Sequence, residues 1–171
     1  APRRIVDWTA ASVINAGDGR HEHPTQALLD AFTLRRRRQG SLDGARIAII
    51  GDIAHSRVAR SDVKIFSELG AEVTLVGPPT LMPESLEGWP VAVSYDLDEV
   101  LVDTDVVYLL RIQQERIEGG RFPSLREYTA RWGLTAARAS RLKPDVVVMH
   151  PGPMNRGVEI AYDVADSAVS L

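Results

Sequence analysis

The stretch Arg46-Ile47-Ala48-Ile49-Ile50-Gly51, running straight into Asp52-Ile53-Ala54-His55-Ser56-Arg57, decides how this chain is read. Its first half is short, apolar and β-branched, the composition of a strand buried on both faces; its second half turns polar and leads into a helical pattern. Working outward, the same signature returns at Glu72 to Gly77, Val91 to Ser94, Asp105 to Leu110 and Asp145 to Met149. Between these runs the period changes. Val58, Ile65, Phe66 and Leu69 recur at helical spacing from Arg57 to Leu69, and Gly70 follows as a stop signal. Further helices are expected over Asp96 to Val102 and Leu125 to Leu142, the latter broken at Gly133 with Thr135 as a new N-cap. An earlier helix is expected to start near Pro24, turn Ala27, Leu28, Ala31 and Leu34 inward, and end in the arginine run before Gly40.

Strands alternating with helices predict an α/β fold: a doubly wound, mostly parallel five-stranded sheet of order 3-2-1-4-5, with helices on both faces in a Rossmann-like three-layer sandwich. In that order the carboxyl ends of the first and fourth strands flank the topological switch point, where open α/β sheets bind ligands. A chain of 171 residues, 44% hydrophobic and 25% charged, fits one such domain. The net charge of −3 argues against a general nucleic-acid binder, and Arg35 to Arg38 read as a helix end favoured by the helix dipole. No apolar run has the roughly 20 residues needed to cross a bilayer, and the first residues lack a signal-peptide pattern, so no membrane partner and a cytoplasmic location are expected. Cysteine is absent, which removes disulfides, thiolate metal sites and a cysteine nucleophile.

Four segments at expected element ends carry the polar chemistry. In the first, Asn15 to Gln26, Pro24 suits the first helical position and puts His23 at the N-cap, a place where histidine is a poor choice. The positive helix end disfavours an imidazolium, so a neutral imidazole donating to a carbonyl oxygen is physically reasonable there. Gln26 could instead reach back as a capping-box partner. His21 and His23 could suggest a metal pair, but no third ligand is in reach by sequence. In the second segment, Arg57 opens a helix with its charge against the dipole; a nearby anion would resolve the conflict, and pairing with Asp52 is the plainer alternative. No GxGxxG follows the strand, so a dinucleotide site is weakly supported. Third, Arg111 and Gln113 leave the end of the fourth strand beside Arg57; two guanidinium forks converging there suit a substrate with two carboxylates. Fourth, His150-Pro151-Gly152-Pro153 ends the last strand with carbonyls that could accept from an NH2 group, or forms a rigid turn and nothing more.

Taken together, His23-Pro24-Thr25-Gln26 with Leu28, Leu29 and Asp30, then Ser56-Arg57-Val58-Ala59-Arg60-Ser61, Leu110 to Arg116 and His150 to Pro153 resemble, in order, the motifs of aspartate carbamoyltransferases, in their second domain, over nearly the whole chain. Thr25 and Pro151 stand where ornithine carbamoyltransferases typically carry cysteine, which favours aspartate as the amine substrate. The resemblance implies that His23 polarises the carbamoyl carbonyl, that Gln26 and the carbonyls of Pro151 and Gly152 orient the carbamoyl NH2, and that Arg57, Arg111 and Gln113 hold the carboxylates of L-aspartate. It implies carbamoyl phosphate as the donor, N-carbamoyl-L-aspartate and phosphate as products, no metal or organic cofactor, and a cis peptide before Pro153. It also implies a single aspartate-binding domain over residues 1–171, without the Ser-Thr-Arg-Thr phosphate motif and neighbouring-subunit lysine of the first domain and without the terminal helices. The absent initiating Met fits the same expectation of a fragment, inactive or nearly so alone. The complete enzyme is expected as a homotrimer and this fragment as a monomer. A noncatalytic scaffold of the same fold is the reading from another class, and it gives no reason to keep His23, Arg57, Arg111 and Gln113 together.

Overall fold

The computed structural model describes residues 2–19, 21–112 and 124–171. Five strands form one parallel sheet: β1 (Arg46–Ile50), β2 (Glu72–Val76), β3 (Val91–Ser94), β4 (Val106–Leu109) and β5 (Val147–Met149), in the order β3-β2-β1-β4-β5. All neighbours pair in parallel, with Ile47 opposite Val73 on one side and Val106 on the other. The helices are α1 (Pro2–Val6), α2 (Pro24–Arg37), α3 (Arg57–Glu68), α4 (Leu97–Leu101), α5 (Leu125–Trp132), α6 (Ala136–Ala139) and α7 (Tyr162–Ala165), with a 3-10 turn at Pro79–Leu81. The expected break falls at Gly133, and the Thr135 side chain caps α6 by accepting from Arg138 N at 3.3 Å.

Because side chains alternate along a strand, each central strand feeds two cores. Ile47, Ile49, Val106, Tyr108, Val147 and Met149 face one side, where Ala31 and Leu34 of α2 and Ala59, Val63 and Phe66 of α3 cover them. Ala48, Ile50, Val107, Leu109 and Val148 face the other, beneath Leu97 and Leu101 of α4, Tyr128 and Trp132 of α5 and Val164 of α7. Burial on both faces holds for β1, β4 and β5 apart from the exposed Arg46, and fails for β3, where Ala92 and Val93 are exposed. β3 lies at one edge of the sheet, whereas the other edge strand, β5, is covered by the C-terminal segment, where Val148 N donates to Val169 O and Leu171 N to Val148 O.

Another correction concerns α2. Its buried residues are Ala27, Asp30, Ala31 and Leu34, a run of i, i+3, i+4 and i+7, whereas Leu28, Leu29 and Phe32 are exposed. The helix thus turns a carboxylate inward and leaves leucines outside, which apolar spacing alone does not indicate. Asp30 is tolerated there because Tyr108 Oη donates to its Oδ2 at 2.7 Å and Gln26 Nε2 donates to Oδ1 at 3.1 Å.

Beside it, Asp62 of α3 is fully buried, and neither of its carboxyl oxygens has a hydrogen-bond partner. Burial, and then the negative charge of Asp30, hold the Asp62 carboxyl well above the usual carboxylate range, so it is carried as the neutral acid. In the unfolded chain it ionises near pH 4. Above that pH the folded state therefore keeps a proton that the unfolded state has lost, and stability falls as pH rises toward the folded pKa. Asp62→Asn is expected to flatten this slope, so urea midpoints measured from about pH 5 to 8 should decline less in the variant than in the parent.

Candidate functional site

The switch-point crevice opens where β1 and β4 end side by side. Gly51, next after β1, has φ +128, and a Cβ there would stand 3.1 Å from Leu110 O and 3.2 Å from Tyr128 Oη. Only glycine lets the chain turn out of the sheet at so close an approach. After the turn, Ser56 caps α3, its Oγ accepting from Ala59 N at 3.0 Å, and Arg57 follows as the first helical residue. Across the crevice, Leu110 and Arg111 continue from β4.

A cavity of about 200 Å³ lies at this end of the sheet, lined by His23, Gln26, Arg57, Arg111, Pro151 and Gly152 among others. Six of the seven residues singled out from the sequence thus share one space. The seventh, Gln113, lies outside the described residues. Larger surface hollows exist, such as one of about 660 Å³ beside Arg60 and Trp89, but the smaller cavity is where separate elements converge polar groups.

His23 is the N-cap of α2 with Pro24 after it, and its side chain makes no capping bond. Its backbone N–H donates instead to Ser61 Oγ of α3 at 2.9 Å, which ties the start of α2 to the neighbouring helix. Burial first, and the positive charge of Arg57 second, hold the imidazole below its ordinary pKa, so it is neutral at neutral pH. Gln26 does not close a capping box. Its Nε2 bonds both oxygens of Asp30, at 3.1 and 3.3 Å, because a carboxylate one turn along the same face is the nearer partner.

Arg57 reaches back over the loop before α2. Among the described residues its one hydrogen bond is a long one, Nη1 to Gly19 O at 3.4 Å. A Cβ at Gly17 would stand 2.9 Å from the same nitrogen, so glycine makes room for the guanidinium. Pairing of Arg57 with Asp52 gives way to a bond between His55 Nδ1 and Asp52 Oδ1 at 2.8 Å, which holds the strand-to-helix loop closed on itself.

The fourth wall is the turn after β5, with a cis peptide between Gly152 and Pro153. Gly152 N donates to His150 Nδ1 at 2.9 Å, so Nδ1 is the unprotonated nitrogen and Nε2–H donates to buried Glu159 at 3.1 Å. His150 therefore braces the turn and does not face the cavity's contents as His23 does. Sequence reasoning passed over Ser61 and Tyr108, whose partners His23 and Asp30 stand 38 and 78 positions away, and also Ser56 and Glu159, whose partners are local, Ser56 being legible as an N-cap three residues before Ala59. Asp30 was likewise legible in principle, standing four residues after Gln26.

An open doubly wound α/β domain with polar groups gathered at its switch point defines a class, the domains whose ligand crevice lies at the carboxyl edge of a parallel sheet. Residues 43–171 match the family model described as "Aspartate/ornithine carbamoyltransferase, Asp/Orn binding domain", and residues 1–36 match that of the "carbamoyl-P binding domain". The chain belongs to the aspartate/ornithine carbamoyltransferase family. It is 61% identical over 171 residues to the aspartate carbamoyltransferase catalytic subunit of Acidothermus cellulolyticus, and 62% over 170 residues to that of Thermobifida fusca. These alignments cover 100% and 99% of the chain but 53% and 54% of the relatives, so it spans about half their length. The structure of aspartate transcarbamoylase from Trypanosoma cruzi in complex with carbamoyl phosphate superposes with a TM-score of 0.84 at 32% identity, over 98% of this chain and 56% of that one.

The Coulombic link between Arg57 and His23 can be measured directly. Arg57→Gln removes a positive neighbour, so the His23 ring is expected to titrate at a higher pH than in the parent, while burial still keeps it below an ordinary histidine. Histidine ring NMR through a pH series reads the shift, and an unmoved midpoint would separate the two groups electrostatically.

Proposed function

We propose that this chain forms the amino-acid half of a carbamoyl-transfer site, in which the amine of L-aspartate attacks carbamoyl phosphate to give N-carbamoyl-L-aspartate and phosphate. The observation that carries the reading is the convergence of Arg57 and Arg111 on one cavity with a neutral His23 and the Pro151–Gly152 turn. Guanidinium forks bind carboxylates in bidentate fashion, and two of them, following the ends of β1 and β4, suit a dicarboxylate whose amine must be left uncovered. Gln113 is assigned to the same carboxylates. A neutral imidazole can donate to the carbamoyl oxygen and stabilise the charge that grows there as the tetrahedral intermediate forms. Gln26 and the carbonyls of Pro151 and Gly152 would take the carbamoyl NH2. These groups would contribute positioning and fixed dipoles to a site completed by the rest of the enzyme. The high identity to aspartate enzymes, together with Thr25 and Pro151 at the positions typically cysteine in ornithine enzymes, supports aspartate over ornithine.

The family models meet between residues 36 and 43, so on this reading α2 brings His23 and Gln26 from the carbamoyl-phosphate side while the rest is the aspartate-binding domain. The exposed Leu28, Leu29 and Phe32 of α2 would then be covered by the remainder of the carbamoyl-phosphate domain. The reading carries with it a cytoplasmic homotrimer working in pyrimidine biosynthesis.

In the assembled enzyme, Arg111→Ala is expected to weaken L-aspartate binding by about 2 kcal/mol, some thirtyfold. An unchanged aspartate affinity, or product formed from ornithine in preference, would overturn the assignment. The 171-residue chain by itself is expected to turn over carbamoyl phosphate and aspartate far below ~1 per second, a typical lower enzymatic rate, in a coupled phosphate-release assay.

A further inference from the structure

Behind the cavity lies a buried polar cluster that the proposed chemistry does not use: Asp30 of α2, Asp62 of α3 and Tyr108 of β4. We propose that Asp30 is a positioning residue for carbamoyl transfer, fixing the side-chain amide of Gln26 with its oxygen free to accept from the bound carbamoyl group. The inference rests on the carbamoyl-transfer reading above.

The argument starts from a symmetry problem. A glutamine amide has nearly the same shape either way round, yet one end only donates hydrogen bonds and the other only accepts. Left to itself in a cavity lined by Arg57 and Arg111, Gln26 has no fixed choice. Asp30 makes the choice for it, because an ionised carboxylate accepts only. Gln26 Nε2 lies 3.1 and 3.3 Å from the two Asp30 oxygens, so the donor end is committed to the protein and Oε1 is the atom left for a ligand. A carbamoyl NH2 requires such an acceptor.

Asp30 can play this part only if it stays ionised and stays put. It is 4% exposed, and burial raises its pKa on balance, the bonds from Tyr108 and Gln26 offsetting only part of the rise. Tyr108 Oη donates to Oδ2 at 2.7 Å, and Tyr108 is itself fully buried against Phe66, ring edge to ring face. Burial and the two nearby carboxyl groups push the phenol's pKa strongly upward, so it remains a donor. The phenol has one proton and serves one carboxylate. Asp62 also faces the phenol, but the bond that Tyr108 forms within hydrogen-bond geometry goes to Asp30 Oδ2. The sheet therefore anchors the carboxylate, the carboxylate anchors the amide, and the amide faces the cavity.

The test uses the assembled enzyme, with steady-state kinetics for both substrates. Asp30→Asn keeps the volume but offers Gln26 a donor as well as an acceptor, so the amide can turn over. The variant is expected to lose about tenfold or more in kcat, the effect of roughly one lost hydrogen bond in the transition state, with the KM for L-aspartate changed less than about twofold. Asp62→Asn, equally buried but not bonded to Gln26, is expected to keep kcat within about twofold. Gln26→Ala supplies the decisive background: adding Asp30→Asn to it should cost nothing more, because a residue acting through Gln26 has nothing left to position. Full additivity of the two losses would overturn the inference while leaving the transfer reading intact, and a parent enzyme that transfers no carbamoyl group would refute the transfer reading first. Should the Asp30 variant not fold, the parent chain labelled with 15N-glutamine still decides. Gln26 side-chain protons should exchange with water more slowly than those of exposed Gln39, and equally fast exchange would contradict the tether.

Discussion

Between β1 and β4 the sheet changes the direction in which it is wound, and the chemistry of the domain hangs on that reversal. The chain leaves β1 toward β2 and β3 on one side, then returns to lay β4 and β5 on the other. Segments leaving the carboxyl ends of β1 and β4 are thereby carried apart, and a crevice remains between them. Gly51 makes the departure from β1 tight enough for Leu110 and Tyr128 to close beneath it. What lines the crevice above is then supplied by whichever side chains follow the two strands, Arg57 and Arg111.

Two cations on one small cavity repel each other and every proton nearby, and the surrounding structure absorbs this in two ways. His23 gives up its own charge, through burial and the Arg57 field, so the site does not add a third cation. Asp52, which might have neutralised Arg57, is engaged by His55. Where the Arg57 charge faces the cavity, a low-dielectric wall strengthens its pull on an anion. Below the cavity floor the sign is reversed: Asp30 and Asp62 sit in the core between α2, α3 and β4. These carboxyls stabilise little, and Asp62 is carried neutral because no partner meets its charge. Of the two, only Asp30 is tied to the cavity, through its bonds from Gln26.

The fold was largely legible because parallel strands buried on both faces write themselves as unbroken apolar runs, and β1, β2 and β4 did so. Edge strand β3 used the same residues without the burial, since its position depends on how many strands follow. In α2 the apolar excess made Leu28 look inward, while the buried position belongs to Asp30. A carboxylate in a core is readable only once Tyr108, 78 positions away, is known to donate to it. The same limit explains Ser61, which accepts from His23 across 38 positions.

By itself the sequence determined the α/β alternation, the helix start at Pro24, the glycine and proline punctuation around the strands, and which polar residues would stand at element ends. These are local matters, set by backbone preference and periodicity within a turn or two. Tertiary structure alone decided that His23, Gln26, Arg57, Arg111, Pro151 and Gly152 share one cavity, that burial and Arg57 lower the His23 pKa, and that Gln26 answers to Asp30 instead of capping its helix. Proximity, burial and electric field are sums over groups distant in the chain, and they come into being only when the sheet is wound in both directions from β1.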